Sequence, residues 1–561
     1  MKKTATILWA LLLSLFVSLP LYAEGILAFP GAEGFGRFAT GGRGGTIYHV
    51  TNLNDSGEGS LRDAVSKPGR IIVFDVSGVI KLKSALVFSS DLTVLGQTAP
   101  GEGIQVYGER VSFSGANNII VRYMRFRMGV SGTSGKDACG VANGKNMIFD
   151  HLSALWGRDE CFSISWDKKG TVPTDITIQN SIIGQGLQSH SCGGLIQTEG
   201  GVTLYRNLYI ENKTRNPKVK GLNQFVNNVV YNWGGGGCYI MGDSEGPSWA
   251  HIENNYFMKG PWKGTAAFTR GNDNFKYYAA GNYYDTDADG TVNGHEMTDA
   301  EYDASGSYRI SDLETFDGVS RPKVHPEIAN MMSAEEALMW IIDSVGPCLP
   351  VRDEVDQYLI DELKSFGKKG STNGISSERD LPHGGTGTLY GGYKPLDTDG
   401  DGIPDEWELA NGLNPNDPSD AVAIADNGYA HIENYSFSIT SAYPYIKNPS
   451  ELKVAAQEKE SIALSWVDNA DNESGFVIEI STDNKTFTEA GRVAANVTTH
   501  TVSGLIPETV YYFRLKAYSD EGVNSLYTST LTTETIGDPS APKLSENPSP
   551  AVDAEVGTAN D

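Results

Sequence analysis

Short apolar runs that end in Asn or Asp punctuate the middle of the chain: NMIFDH, ITIQNS, TLYRNL, QFVNNV, HIENNY and YYAAGN. Each is too short for a helix and rich in β-branched or aromatic residues, so each predicts a strand. With Asp150, Asn180, Asn207, Asn228, Asn254 and Asn282 as equivalents, the runs recur every 21 to 30 residues. Such a period marks a unit that buries its apolar face only against the next copy. One turn of a parallel β-helix consumes about that much chain. Asn suits its bends, because it tolerates left-handed backbone and its amide can bond the neighbouring coil to form a ladder. The runs TIYHVTNL, RIIVFDVSGVIKL, LTVLGQT and IQVYG predict the strands of earlier coils. The stretch Phe29 to Gly45 before them, FPGAEGFGRFATGGRGG, is glycine punctuation without a phosphate-loop lysine. The pattern predicts an all-β protein whose body, residues 24–300, is a right-handed parallel β-helix.

Beyond residue 300 the period changes to that of helices. Ser333 and Glu336 form a capping box ahead of ALMWIIDS, with Gly346 and Pro347 as the stop. A second helix is expected from Asp353 to Phe366, with Val355, Tyr358, Leu359, Leu363 and Phe366 on one face. Neither has a core of its own, so residues 301–396 are read as an extension packing on the end or side of the β-helix. The stretch DTDGDGIPDEWE then matches a calcium loop position by position. Asp397, Asp399 and Asp401 fall at one, three and five, Gly402 at six, the Ile403 carbonyl at seven, Asp405 at nine and Glu408 at twelve. Segment 397–445 is therefore expected to hold a structural calcium ion. Residues 446–536 alternate again, with Trp466 in SIALSWVD and Tyr511, Phe513, Leu515 and Ala517 on one face. Their strand spacing resembles a fibronectin type III β-sandwich. Residues 537–561, rich in Pro, Ser and acidic groups, read as a linker or tail.

Composition narrows the function. The 561 residues carry a formal charge of −26. Residues 1–23 read as a secretory signal, with Lys2 and Lys3 before an apolar run and Ala23 at its end, so the mature chain is expected outside the cytoplasm at −28. Such a surface repels nucleic acid and anionic membranes, and no later run is apolar enough to span a bilayer. The five Cys show no zinc or redox spacing. Against this acidic background, Arg206, Lys213, Arg215, Lys218 and Lys220 form a basic island between Tyr205 and Trp233. Pro217 and Gly221 point to its display on a loop. An island of this kind favours an anionic ligand.

Carboxylates precede the island on earlier coils: Asp137, Asp150, and the pair Asp159 and Glu160. Because coils stack about 4.8 Å apart, residues at one angular position become neighbours and line a groove. Asp150 is read as a ladder residue, and only one of Asp159 and Glu160 faces the groove if their run is extended.

At these residues the chain resembles the pectate lyases of the parallel β-helix class. The resemblance rests on FPGAEGFG, TGGRGG, VTNLNDSGEGSLRDAV, Asp137-Ala138, the IFDH of Ile148 to His151, the NNVVYNW block, and Arg215-Asn216-Pro217-Lys218-Val219-Lys220 in the place of an RxPxxR motif. It implies calcium-assisted β-elimination of polygalacturonate, an acidic plant cell-wall polysaccharide. Asp137 and Asp159 then match calcium ligands, with Glu160 beside them, and Arg215 matches the arginine assigned as base. Lys218, Lys220, His151 and His190 are the expected substrate contacts. Three positions depart from the family. Lys220 replaces a second arginine, Cys192 a substrate-binding lysine, and Ser163 a third aspartate ligand. The alternatives are a polygalacturonase, a pectin lyase acting on methyl esters, and a non-catalytic glycan-binding rod. The sequence assigns no oligomeric state.

Overall fold

The computed structural model describes residues 25–242, 246–302, 308–310 and 325–537. The expected signal segment and nearly all of the expected tail lie outside the described residues.

Three parallel sheets wind around one core. The first contains Thr46–Val50, Arg70–Phe74, Leu92–Leu95, Asn117–Arg122, Lys145–Asp150, Thr174–Gln179 and Val202–Tyr205, and continues to Phe275–Ala280. The second runs from Gly78–Lys81 to Tyr283–Asp285, where the antiparallel strand His295–Glu296 pairs with it. The third includes Val111–Ser112, Cys139–Val141, Phe162–Ser165, Leu195–Gln197 and Tyr239–Ile240. Asp150 pairs with Gln179, Gln179 with Tyr205, Tyr205 with Val226 and Val226 with Glu253, so successive coils take 29, 26, 21 and 27 residues. This is the period that the apolar runs predict.

In the core, Phe88, Phe113, Phe149 and Phe162 stack with ring centroids 4.4, 4.7 and 5.1 Å apart. Such offset and edge contacts add to the burial of each ring. The ladder exists, shifted from its predicted members. Ser181 N–H donates to Asn207 Oδ1 at 3.0 Å, Asn207 N–H to Asn228 at 2.9 Å, Asn228 N–H to Asn255 at 2.8 Å, and Asn255 N–H to Asn282 at 3.0 Å. Asn180 and Asn254 instead occupy the left-handed bend one residue earlier, at φ +55° and +53°. The bend and the ladder are separate jobs on adjacent residues. Asp150 belongs to neither. It is fully buried, takes a 2.8 Å ion pair from Arg122 Nε, and accepts from the side chains of Gln179 and Asn180.

The glycines of Phe29 to Gly45 have a structural reason. That segment crosses the outer face of the first sheet, and a Cβ on Gly36 would lie 2.1 Å from the Met147 carbonyl oxygen. A second glycine, Gly221 (φ +79°), sits inside the long strand Lys218–Val226, at the corner where it passes from the third sheet to the first.

The helices cover two of the outer faces. A short helix, α1 (Leu61–Val65), packs on the first coil. Helices α2 (Ala334–Ser344) and α3 (Glu354–Leu363) begin at Ser333 and Asp353, and α2 carries the expected capping box. Their apolar sides lie on Leu155, Ile182, Leu208, Ile210 and Val229 of the second sheet, so the extension packs on the side of the solenoid. Beneath them Arg127 pairs with Asp353 at 2.5 Å and Asp356 at 2.8 Å, all three buried. Helices α4 (Asp405–Asn411) and α5 (His431–Ser438) flank a cluster in which Ile403, Ala421, Ile432 and Tyr435 pack on Ile71, Val73 and Leu95 of the first sheet.

Two antiparallel sheets follow, Ser450–Gln457 with Ser461–Val467 and Thr499–Ser503, and Gly475–Ser481 with Thr488–Ala494, Val510–Tyr518 and Leu531–Glu534. Ile462, Trp466, Phe476 and Phe513 fill the space between them, and Tyr511 Oη accepts from Ile506 N–H at 2.9 Å, a tyrosine corner. Among the described residues no helix is long and apolar enough to cross a membrane.

Candidate active-site groove

The third sheet carries the groove. Its outward positions are small: Ser112, Gly140 and Ser163 in one row, with Ala142 and Ser165 beside them, lining a cavity of about 100 Å³ with Arg110 and Asp137. In the next coils the outward rows continue as Leu195 to Lys218 and Gln197 to Lys220. Lys218 and Lys220 therefore lie on a strand, alternating with buried Val219, and not on the displayed loop that Pro217 and Gly221 suggest. Proline sits just outside the ladder, and glycine only turns the strand's corner.

One column precedes these strands. Cys139 pairs with Phe162, which sets Asp137 over Glu160; Glu160 bridges to Cys192, and Cys192 to Thr214, the neighbour of Arg215. Glu160 N–H donates to Asp137 Oδ1 at 3.3 Å, and Arg215 Nη1 pairs with Glu160 Oε1. Arg215 is fixed by backbone bonds to the following coil, from its N–H to Gly237 and from Asn216 N–H to Cys238. Asp159 stands beside the column, its Oδ1 3.6 Å from Nε2 of exposed His190. Asp137, Asp159 and Glu160 offer oxygens within 4.8 Å of one another. Of the adjacent pair, Glu160 is the one in register with Asp137.

The electrostatics are those of crowded carboxylates. Burial, and then the Asp137 charge, push the Glu160 carboxyl up to about 8 despite Arg215. Burial also raises Asp137. For Arg215 burial acts downward, but its acidic neighbours, Cys192 once ionised and then Glu160 and Asp159, outweigh it and hold the group above its ordinary value, so it is a guanidinium. Asp159 Oδ1 is buried without a hydrogen-bond partner. An all-oxygen donor set with an orphaned oxygen fits a hard divalent cation. At Cys192 burial pushes the thiol up to about 12, leaving no charge where the resemblance expects a lysine. Ser163 Oγ accepts from Leu195 N–H at 3.1 Å.

One expected contact and one member of the basic island lie elsewhere. His151 is a bend residue (φ +52°), stacked on Tyr123 with ring centroids 4.6 Å apart and bonded through Nδ1 to the Gly346 carbonyl at 2.9 Å. It belongs to the seam under α2, away from the groove. Arg206, counted in the basic island, lies 4.2 Å above the Trp340 ring and donates to Asn180 Oδ1 at 3.0 Å, on that same seam.

The acidic loop after Leu396 is formed, with its side chains divided. Asp397 accepts from the N–H groups of Gly400, Asp401 and Gly402, and Asp405 from the N–H and Oγ1 of Thr398. Ile403 is buried and donates its N–H to Asp401 Oδ1 at 2.9 Å. Asp401 and Glu408 converge with Asp420, a residue the loop spacing does not include. Burial and neighbouring carboxylates raise Asp401 to about 6 and Glu408 to about 7. A second loop of the same spacing went unread in the sequence: Asp285, Asp287, Asp289, Gly290, Asn293 and Glu296 fall at one, three, five, six, nine and twelve. There Asp285 is buried with Oδ1 unpartnered, while Asp287 and Asp289 accept from Asn293 and Thr291 within the loop.

The chain is 53% identical over 423 residues to a protein named probable pectate lyase C from Aspergillus flavus, covering 75% of this chain and 96% of the relative. A protein of the same name from Emericella nidulans is 54% identical over 414 residues, 74% and 93% of the two chains. This chain belongs to the pectate lyase family. A putative pectate lyase 21 of Arabidopsis thaliana is 27% identical over 306 residues, 49% of this chain and 74% of the relative. Residues 447–534 match the model of the fibronectin type III domain. This pectate lyase is thus a polysaccharide lyase with an appended β-sandwich, and the third-sheet face is its candidate groove.

Proposed function

We propose that the protein is exported and cleaves polygalacturonate by calcium-assisted β-elimination. The observation that carries the reading is the column Asp137, Glu160, Cys192, Arg215, which sets one guanidinium directly against buried Glu160 and its half-buried neighbours Asp137 and Asp159. Asp137, Asp159 and Glu160 are the groups to hold a calcium ion. Bound there, it would polarise a uronate carboxylate and acidify the C5 proton. Lys218 and Lys220, on the outward rows, are placed to hold neighbouring uronates. Arg215 faces the reacting sugar. A guanidinium is a poor base while protonated, and in this state its neighbours keep it so; it serves at once to stabilise charge developing on the carboxylate side of the enolate. Abstraction of the C5 proton requires that its acidic neighbours turn from it. Arg215 in its neutral form then takes the C5 proton, the C5–H electron pair forms the C4–C5 double bond, and the C4–O bond breaks with its electrons on the departing oxygen, which picks up a proton from solvent, so that no water is consumed. The small floor residues leave room for the chain at backbone level.

The test is absorbance of the unsaturated uronide during incubation with polygalacturonate, with calcium and then with chelator. Arg215→Ala should cost at least about 100-fold in kcat while calcium-dependent binding of polygalacturonate persists. Reducing ends without absorbance would make the enzyme a hydrolase. An Arg215→Ala protein as active as its parent would remove Arg215 from the chemistry.

A further inference from the structure

On the first-sheet side of the solenoid, two carboxylate clusters share Asp401: Asp397, Asp399 and Asp401 of the loop lie with oxygens within 4.8 Å of one another, and so do Asp401, Glu408 of α4 and Asp420 of the turn that follows. The Asp399 charge acts on Glu408 and the Asp420 charge on Asp399, which brings Asp399 to the second cluster as well. Hydrogen bonding divides the acidic groups sharply. Asp397 and Asp405 have both oxygens engaged within the loop, whereas Asp399 Oδ1 and Oδ2, Asp401 Oδ2, Glu408 Oε1 and Oε2 and Asp420 Oδ1 are buried with no partner. Glu408 is 0% and Asp401 3% exposed. Holding Asp401 and Glu408 buried beside the half-buried Asp399 and Asp420 without a counter-charge is costly, and a bound cation would relieve that cost. Lys394 does not supply it, since its ammonium reaches Asp397 at 3.4 Å and Asp75 at 3.3 Å.

We propose that Asp399, Asp401, Glu408 and Asp420 together bind one structural calcium ion, Asp420 taking the role that loop spacing gives to Asp405. Six unpartnered oxygens match the six to eight that calcium takes, with Glu408 and Asp399 able to bind through both oxygens. The absence of nitrogen and sulfur donors from the cluster disfavours zinc, and magnesium resists giving up its waters to an all-protein cage. Because Ile403 lies inside the loop and Ala421 follows Asp420, the ion fastens the two ends of the segment that packs on Ile71, Val73 and Leu95. It steadies the first coils and stands apart from the groove, which lies on the third sheet.

The test starts from the full-length protein carrying Asp137→Asn and Glu160→Gln, which disables the groove cluster, and Asp287→Asn and Asp289→Asn, which disables the loop at Asp285–Glu296, stripped with chelator and titrated calorimetrically with calcium. One tight site should remain, and calcium should raise Tm. Adding Asp420→Asn should weaken that site at least about tenfold and erase the Tm rise, whereas Asp405→Asn should leave Kd within about threefold. Unchanged binding in the Asp420→Asn protein, or equal damage from Asp405→Asn, overturns the assignment. If Asp420→Asn does not fold, the melting of the parent decides: equal Tm in calcium and in chelator overturns it, and a rise with calcium that magnesium does not reproduce supports it.

Discussion

Glu362 on α3 makes a quantitative prediction about pH. It is 4% exposed and faces Glu211, which follows the second-sheet strand Leu208–Ile210 and is itself buried. Glu211 accepts from Ser371 N–H, from Asn232 Nδ2 at 2.9 Å and from Gln185 Nε2 at 3.0 Å, so it is the ionised partner. Glu362, with Oε2 unpartnered, keeps the proton. Burial, and then the Glu211 charge, push its carboxyl from 4.5 up to about 8. A raised folded value means that the native state binds the extra proton. The stability it contributes is complete below about pH 4.5, falls as pH rises, and is gone above about 8. The interval corresponds to on the order of 5 kcal/mol. The pair borders a cavity of about 530 Å³, so water reduces the observable figure to roughly 2–4 kcal/mol. Glu362→Gln cannot ionise and keeps a donor toward Glu211. Urea unfolding of both proteins at pH 5, 6.5 and 8.5, in chelator throughout, should show the variant gaining on the wild type by that amount between pH 5 and 8.5. Raised carboxyls remote from Glu362 cancel in the difference, and Glu211, which burial also raises, titrates with Glu362 as one pair. A difference that stays constant within about 0.5 kcal/mol across the series would refute the assignment of the proton.

Two further predictions concern the scaffold. Gly221→Ala should cost more than about 4 kcal/mol or abolish folding, because its Cβ would lie 1.8 Å from the Thr198 carbonyl oxygen and φ is +79°; expression and melting temperature report it. Asn228→Ala should destabilise by roughly 3–5 kcal/mol, since it removes the acceptor of Asn207 N–H and the donor to the Leu204 and Val226 carbonyls in a buried site, and a conservative loss below about 1 kcal/mol in urea unfolding would show that water replaces the ladder.

What the sequence disclosed follows from which distances the fold makes regular. Coils of 21 to 30 residues bring successive segments to one angular position, so it was legible from their order that carboxylates of earlier coils and Arg215 share a groove, but not which of Asp159 and Glu160 comes into register with Asp137. Parity was harder. In Gln179-Asn180-Ser181 and Glu253-Asn254-Asn255 two neighbouring polar residues divide bend from ladder, and hydrophobic pattern does not say which is which. His151 was misplaced for the same reason, since the residue after Asp150 enters the left-handed bend and leaves the strand's face. Contacts between segments far apart along the chain were not legible at all. Asp420 reaches Glu408 only because α4 turns the chain back, and Glu362 meets Glu211 only because α3 lies along the second sheet.

The placement of the groove follows from coverage as much as from chemistry. A three-sided solenoid has three outer faces, each able to line up side chains at coil spacing. Here the first is crossed by the glycine-rich segment and held under Ile403, Ile432 and Tyr435, and the second is sealed by α2 and α3. The apolar outward residues of those sheets, such as Ile71 and Val73 or Ile182 and Leu208, make that covering favourable. The third face offers Ser112, Gly140, Ser163 and Ser165, which give a helix little to bury but leave a channel at backbone level. An extended polyanion needs a long open floor with charge at its walls, and this is the face where Arg110, Lys218, Lys220 and Arg215 stand. The extension that looks peripheral in the sequence thus closes the two faces on which an apolar outer row would otherwise meet water, and leaves the groove as the open one.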